Sequence, residues 1–120
     1  MSQEMITVRL MSGPQDGLGL EFPLSQAGGE TVVTIGRSED CDVSLPYDSQ
    51  VSRVHARLIC ACDDETLNEG EVRRRTRLRL VDVGSRNGTY LGQQRLRDES
   101  APLKPGDLFR VGRTWLRVDP

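Results

Sequence analysis

The sequence predicts an all-β protein, either a sandwich or a barrel, and three observations support this class. Apolar residues alternate with polar residues in short runs with a period of two. Clusters of glycine, proline, aspartate and serine, which favour turns, separate these runs. No window of twelve residues combines the 3.6-residue period of an amphipathic helix with capping residues. Many short strands joined by turns are therefore expected.

Each alternating run predicts a half-buried strand, because successive side chains of a strand point to opposite faces. In chain order the runs comprise Ile6, Val8 and Leu10; Leu18, Leu20, Phe22 and Leu24; Val33 and Ile35; Val43 and Leu45; Ala56, Leu58, Cys60 and Cys62; Leu78 and Leu80; and Leu116 and Val118.

One connection between these runs is unusually long. Residues 63–76, "DDETLNEGEVRRRT", change from acidic to basic and show no strand pattern. We interpret this segment as a polar loop, since a run of charges is usually a solvated surface.

Length and composition predict one globular domain. The chain has 120 residues, of which 36% are hydrophobic and 28% are charged, enough for a single modest core without disulfides. It contains no apolar run long enough to span a membrane, and its first residues lack the pattern of a secretory signal. Three cysteines do not form a disulfide framework and suit a reducing compartment. We therefore expect a cytoplasmic protein and a monomer.

The basic residues are almost all arginine. Fifteen of the 16 are Arg and only Lys104 is lysine, while the net charge is -2. Arginine binds phosphate and carboxylate through two parallel hydrogen bonds. The nearly balanced charge gives no overall positive field of the kind that drives non-specific binding to nucleic acid.

Residues 82–91, "DVGSRNGTYL", concentrate turn-forming residues between apolar ones. An Asn-Gly pair between strand-like residues is a strong hairpin signal, because a type I′ turn needs positive φ at both central positions. Taken alone, this window predicts a hairpin turn at Asn87 and Gly88.

Three polar clusters interrupt the predicted strands: "GRSEDCD" after Ile35, "SRVH" before Ala56, and the window after Val81. The strand at Val43–Leu45 is only about three residues, roughly 10 Å, so the following loop can return to the end where it started. The strand from Ala56 runs away from that end, and the strand up to Val81 returns to it. We therefore expect all three clusters to meet at one end of the fold.

Such a meeting would create a site for an oxyanion, because it joins guanidinium groups, hydroxyls and an amide. Guanidinium and hydroxyl groups donate to phosphate oxygens, and an asparagine amide can both donate to and accept from a peptide backbone. These properties favour a phosphopeptide as ligand. The side chains concerned are Arg37, Ser52, Arg53, His55, Ser85, Arg86, Asn87 and Thr89.

The succession "TIGRSEDCDVSL", "VSRVHARL", "LVDVGSRNGTYL" and "LKPGDLFRVG" resembles a forkhead-associated (FHA) domain, from about residue 6 to residue 118. This resemblance rests on four motifs in the right order and spacing. It implies a β-sandwich of about eleven strands, which binds phosphothreonine peptides in signal transduction through loops at one end. It also implies a threonine-phosphorylated protein as the partner and no cofactor.

The same resemblance assigns roles to individual residues. Arg37 resembles the arginine that pairs with the phosphate, Ser52 the hydroxyl that donates to it, and Asn87 the asparagine that holds the peptide backbone. Arg53 and Arg86 occupy neighbouring binding-loop positions. Four further residues would shape the loops, and His55 would join one loop to the next through its ring nitrogens; these four are Gly36, His55, Gly88 and Thr89.

Two features depart from the family pattern. Arg86 stands where the family often has a small polar residue, so it would add affinity for phosphate or select acidic neighbours in the peptide. The segment 63–76 is longer than the tight hairpin common in the family. Strand counting puts it at the end opposite the three clusters, where it would not contact the phosphopeptide.

Three other functions each match a part of the sequence. An Arg-rich nucleic-acid-binding domain using "RRRTR" at 73–77 is the main alternative, although no aromatic residues accompany this run. A metal site of Cys41, Cys60, Cys62 and His55 lacks the usual spacing of zinc ligands. A hydrolase built on Ser52 and His55 lacks a nucleophile motif, so we do not expect an enzyme.

Overall fold

The structure is a computed structural model that describes residues 4–24 and 29–119. Eleven strands make up most of this described part, with one turn of 3₁₀ helix at Asn68–Gly70. The strands are β1 (Met5–Leu10), β2 (Gly19–Pro23), β3 (Glu30–Gly36), β4 (Val43–Ser44), β5 (Ala56–Thr66), β6 (Val72–Asp82), β7 (Thr89–Leu91), β8 (Gln94–Leu96), β9 (Ser100–Leu103), β10 (Leu108–Val111) and β11 (Thr114–Asp119).

The strands form two sheets, and the predicted all-β sandwich is confirmed. One sheet has six strands in the order β2-β1-β11-β10-β7-β8, and the other has five in the order β4-β3-β5-β6-β9. A single hydrophobic cluster fills the space between them, with Phe109 as its largest wholly buried side chain. Alternate residues of β1, β3, β5 and β11 point into this cluster, as the period of two predicted.

The topology brings the ends of several strands together. Strand β4 pairs with β3 in parallel, with Ile35 opposite Val43, so both strands end on the same side of the sheet. The loop before Ala56 therefore already starts at this end because β4 is parallel to β3, whereas the sequence predicted that this loop would have to return past a short strand. Strand β5 runs away from this end and β6 returns antiparallel to it, as predicted.

The predicted polar loop at 63–76 is wrong. Strand β5 continues to Thr66 and β6 begins at Val72, with Thr66 opposite Val72, so only residues 67–71 form the turn of a long hairpin. The apolar period of two stops here because both faces of the ribbon are solvated beyond the core. The backbone pairing continues regardless, since ladder hydrogen bonds need no apolar side chains.

The predicted hairpin turn at Asn87 and Gly88 is also wrong. Strand β6 belongs to the five-stranded sheet and β7 to the six-stranded sheet, so the segment crosses between sheets. Gly88 has φ +82°, but Asn87 does not have positive φ, which a type I′ turn would require.

Short strands account for most of what the alternation missed. Strands β7 to β10 have three or four residues each, too few to show a period. The turn expected around residues 26–30 lies partly outside the described residues. Within residues 4–24 and 29–119, no helix has the length and apolarity needed to cross a membrane.

Candidate functional site

Three loops meet at the end of the sandwich where β3, β4 and β6 terminate, and we call this region the loop end. They are residues 37–42 between β3 and β4, residues 45–55 between β4 and β5, and residues 83–88 between β6 and β7. The N–H of Arg37 donates to the carbonyl of Ser52 at 3.0 Å, and the N–H of Ser38 donates to the carbonyl of Arg53 at 3.1 Å. The first two loops are thus joined through their backbones.

Gly36 permits this close approach. A Cβ added to Gly36 would overlap the carbonyl oxygen of Arg53 and lie 2.9 Å from the Sγ of Cys41. Gly36 does not have positive φ, so space rather than backbone conformation requires glycine here. Any larger residue would push apart the loops that carry Arg37 and Ser52.

His55 joins the second and third loops from a fully buried position. Its Nδ1 accepts the backbone N–H of Ser52 at 3.1 Å, and its Nε2 lies 2.8 Å from the carbonyl oxygen of Gly88. Because Nδ1 accepts, Nε2 carries the proton and donates to Gly88. The N–H of His55 also donates to the carbonyl of Ile35 near the end of β3, and its carbonyl accepts the N–H of Val83, which follows β6.

The environment keeps the imidazole of His55 neutral. Burial lowers its pKa below the ordinary value of 6.5, although the hydrogen bond to Gly88 and the charges of Asp82 and Asp48 act in the opposite direction. A protonated ring would also direct a second N–H at the N–H of Ser52. Both ring nitrogens are therefore occupied in holding the loops together.

Ser52 lies at the centre of the loop end and is half-buried. Its Oγ accepts the backbone N–H of Arg86 at 3.0 Å, which ties the third loop to the second. This bond uses an acceptor site of the hydroxyl, so its own proton remains available to donate to a ligand.

Three arginines surround Ser52. Arg53 follows it in the chain, and the backbones of Arg37 and Arg86 each form a hydrogen bond with it. All three arginine side chains are exposed, and none has an ion pair or hydrogen bond within the described ranges. The arrangement presents one hydroxyl and three guanidinium groups to solvent, which suits an oxyanion.

Asn87 is half-buried beside this group and is held in place by its own amide. Its Nδ2 donates to the backbone carbonyl of Gln50 at 2.8 Å and to the Oε1 of Gln50 at 3.1 Å. The Oδ1 of Asn87 has no hydrogen bond within the described part of the chain, so it can accept an N–H from a ligand.

Asp82, which the sequence analysis did not single out, anchors the third loop. Its buried carboxylate accepts hydrogen bonds from the hydroxyls of Ser85 and Thr89, the latter at 2.7 Å, and from the N–H of Asp98 at 2.7 Å. Burial alone would raise the pKa of Asp82, but these hydrogen bonds outweigh burial and lower it. Thr89 thus helps to hold the third loop through its hydrogen bond to Asp82. The polar clusters at the strand ends did not indicate that Asp82 would take part.

Asp48, also missed, anchors the second loop. Its carboxylate accepts from the N–H of Gln50 at 3.0 Å, the N–H of Arg113 at 2.8 Å and the hydroxyl of Thr114 at 2.7 Å. The bond from Asp48 to the residue two positions later is an Asx turn, a local signal that the sequence does carry. Its hydrogen bonds to Arg113 and Thr114, around the turn between β10 and β11, join residues more than sixty positions apart, so no short stretch of sequence could indicate them.

An open cleft of about 410 Å³ adjoins Asn87, and Ser52 is not among the residues that line it. The guanidinium of Arg110 stacks on the ring of Tyr90 with its Cζ 4.2 Å from the ring centre. The cleft is lined by Gln50, Asn87, Gly88, Tyr90, Arg95, Arg110, Gly112 and Arg113. Its positive charge extends the basic character of the loop end.

The alternative metal site of Cys41, Cys60, Cys62 and His55 has no counterpart among the described residues. Within residues 4–24 and 29–119, no group of three histidine, cysteine, aspartate or glutamate side chains is placed to hold a metal ion. Cys60 and Cys62 are wholly buried in the core, and burial raises the pKa of Cys60 to about 12. The thiols therefore act as small apolar side chains.

The sequence profile of the FHA domain family matches residues 33–112, two thirds of the chain. The chain belongs to the FHA domain family. The matched segment contains the whole loop end of this FHA domain. A search of curated protein sequences finds no match.

Solved structures of other FHA domains share the fold. The FHA domain of CT664 from Chlamydia trachomatis is 19% identical, with a TM-score of 0.69 over 98% of both chains. The yeast Dun1 FHA domain, in complex with a doubly phosphorylated (pT) peptide derived from Rad53, is 25% identical, with a TM-score of 0.64 over 96% of this chain and 73% of that chain. The FhaA FHA domain, complexed with the intracellular domain of Rv3910, is 26% identical, with a TM-score of 0.61 over 94% of this chain and 98% of that chain.

Proposed function

We propose that this FHA domain binds phosphothreonine-containing segments of partner proteins in signal transduction. The observation that carries the proposal is the group of three unpaired arginines around the Ser52 hydroxyl at the loop end. The yeast Dun1 FHA domain, which shares the fold, forms its complex with a doubly phosphorylated (pT) peptide.

Arg37 and Ser52 form the centre of the proposed phosphate site. The carbonyl of Ser52 holds the N–H of Arg37, so the guanidinium starts beside the hydroxyl. Arginine donates two parallel hydrogen bonds to a phosphate, and the hydroxyl donates a third. Arg53 and Arg86 flank this pair and add positive charge where the dianion would lie.

Asn87 would hold the backbone of the bound peptide through its Oδ1. Both hydrogen bonds from its Nδ2 go to Gln50, so the amide is fixed before a ligand arrives. A preorganised acceptor costs little entropy on binding. The peptide would continue into the cleft beyond Asn87, where Arg110 and Arg113 favour acidic side chains.

The same geometry supports binding rather than catalysis. His55 is the only histidine of the chain, and both of its ring nitrogens are engaged in the fold. It is therefore not available as a general base for the hydroxyl of Ser52, and the two do not form a nucleophile and base.

Calorimetry with a degenerate phosphothreonine peptide library tests the proposal. We expect a dissociation constant in the micromolar range, about -8 kcal/mol, and no binding of the unphosphorylated library. Single-stranded DNA of matched charge is the comparison for the nucleic-acid alternative. Binding of the DNA without binding of the phosphopeptides would overturn the proposal.

A further inference from the structure

The hairpin of β5 and β6 projects beyond the rest of its sheet. Strand β3 pairs with β5 only up to Ala61, and β9 pairs with β6 only from Leu78. Cys62 is still buried in the core, so residues 63–75 form the two-stranded arm, and the molecule measures 52 Å along its longest axis against 28 and 22 Å along the others.

The outward face of β6 carries a ladder of arginines that runs from the arm into the sheet. Arg73, Arg75, Arg77 and Arg79 occupy alternate positions of β6, so all four point away from the core, with neighbours spaced about 7 Å apart. Leu78 and Leu80, at the positions between, are buried.

The ladder is only partly neutralised. Arg73 pairs with Glu65 at 3.0 Å and Arg77 pairs with Asp63, both across to β5. Arg79 donates to the hydroxyl of Ser100 at 2.8 Å, which leaves its charge uncompensated. Arg75 has no hydrogen bond or ion pair in the described part of the chain. Positive charge therefore remains here, although the whole chain has a net charge of -2.

A groove of about 510 Å³ lies at the base of the ladder, and we call it the arm groove. Its lining includes four basic residues, Arg75, Arg77, Arg79 and Lys104, and apolar residues such as Ala61 and Pro102. Glu30 is the acidic residue among the lining residues. The groove thus combines several cations with apolar surface.

We propose that the arm groove binds an acidic segment of a partner protein. Charge complementarity favours an anion, and the apolar lining residues favour a peptide that also carries aliphatic side chains. No aromatic residue lines the groove, so it lacks the stacking surface that single-stranded nucleic acids use. Ala61 is five residues along β5 from Ala56, about 17 Å from the loop end, so this site is separate from the phosphopeptide site.

Fluorescence anisotropy with a short labelled peptide of alternating glutamate and valine tests the proposal on the full chain. We expect binding at low ionic strength that weakens as salt is added. Arg75→Glu should weaken binding about tenfold or more, because it replaces an attraction with a repulsion. Arg97→Glu makes the same charge change at an exposed residue outside the arm groove and should alter the affinity less than about twofold.

Thermal melting and phosphothreonine-peptide binding accompany each measurement. Phosphothreonine-peptide binding should be unchanged in Arg75→Glu, and the melting temperature should fall only slightly, because the side chain is exposed and has no partner among the described residues, although Asp63 stands opposite it. Four results would overturn the proposal: no binding of the peptide at low salt, an equal loss in Arg97→Glu, tighter binding of single-stranded DNA, or tighter binding of anionic phospholipid vesicles.

Discussion

The Nε2 atom of His55 lies 2.8 Å from the carbonyl oxygen of Gly88, 33 residues further along the chain. This bond and the bond from the N–H of Ser52 to Nδ1 fix the second and third loops to each other. Both require a neutral ring, so the loop end is coupled to the protonation state of one residue.

The free energy of unfolding should therefore fall as pH decreases through about 6.5, where the histidine of an unfolded chain gains its proton. Burial lowers the pKa of His55 in the folded state, so the unfolded chain binds the additional proton. The slope can reach about 1.4 kcal/mol per pH unit. Urea denaturation between pH 7.5 and 5 measures it.

His55→Gln is the control for this slope. Because the chain has a single histidine, the variant should be less stable than the parent above pH 6.5 and nearly independent of pH across the range. An unchanged slope in His55→Gln would assign the effect to other groups.

Arg37→Ala should reduce phosphothreonine-peptide affinity at least about 100-fold, because two charge-assisted hydrogen bonds to the phosphate are lost. The free energy of unfolding should change by less than about 0.5 kcal/mol, since the side chain is exposed and unpaired. Calorimetry and denaturation measure the two effects. Arg37→Lys keeps the charge but lacks the two parallel donors of a guanidinium, so its affinity should lie between those of the parent and Arg37→Ala. Unfolding of the Arg37→Ala protein at room temperature would contradict the assigned role.

Gly36→Ala should destabilise the protein by about 3 kcal/mol, because the new methyl group would overlap the backbone of Arg53. Gly92→Ala is the matched control, since Gly92 has φ +59° and no atom near its Cβ position. It should cost about 1 kcal/mol through backbone conformation alone. Equal losses in the two variants, measured by denaturation, would show that space at Gly36 is not limiting.

Asp82→Asn should destabilise the protein by about 2 kcal/mol, because an amide N–H would face groups that now donate to the carboxylate. Ser85, Thr89 and Asp98 are those donors. Asp98→Asn makes the same change at an exposed side chain and should be nearly neutral. Denaturation of both variants measures the difference, and comparable stabilities would contradict the anchoring role of Asp82.

Arg86 should strengthen the dependence of phosphopeptide affinity on pH. Phosphothreonine gains its second negative charge near pH 6, and arginine stays protonated, so affinity should rise between pH 6 and 7 and then level off. Arg86→Thr should flatten this rise and weaken the salt dependence, while keeping the backbone N–H that binds Ser52.

Two phosphopeptides, with and without acidic residues after the phosphothreonine, separate the roles of Arg86 by calorimetry. A loss confined to the acidic peptide would assign Arg86 to that side chain rather than to the phosphate. No change with either peptide would remove Arg86 from the site.

The sequence by itself determined the class of fold and the residue types of the site. The period of two in runs such as Ile6, Val8 and Leu10 follows from the geometry of a strand with one buried face, so it predicted an all-β fold, and the family resemblance then implied the sandwich. The motif resemblance identified the FHA family and named Arg37, Ser52 and Asn87 before their positions were known. The period of two and each of the four motifs can be read from a few neighbouring residues.

Only the tertiary structure decided the features that depend on residues distant in the chain. The arm at 63–75 has no alternation because no core lies against it, and the crossing at Asn87 cannot be told from a hairpin without knowing which sheet holds β7. In the sequence, Asp48 and Asp82 cannot be distinguished from exposed aspartates. In the structure both are buried, and both accept hydrogen bonds from residues of other loops. Burial and long-range hydrogen bonds arise from packing, which no short stretch of sequence specifies.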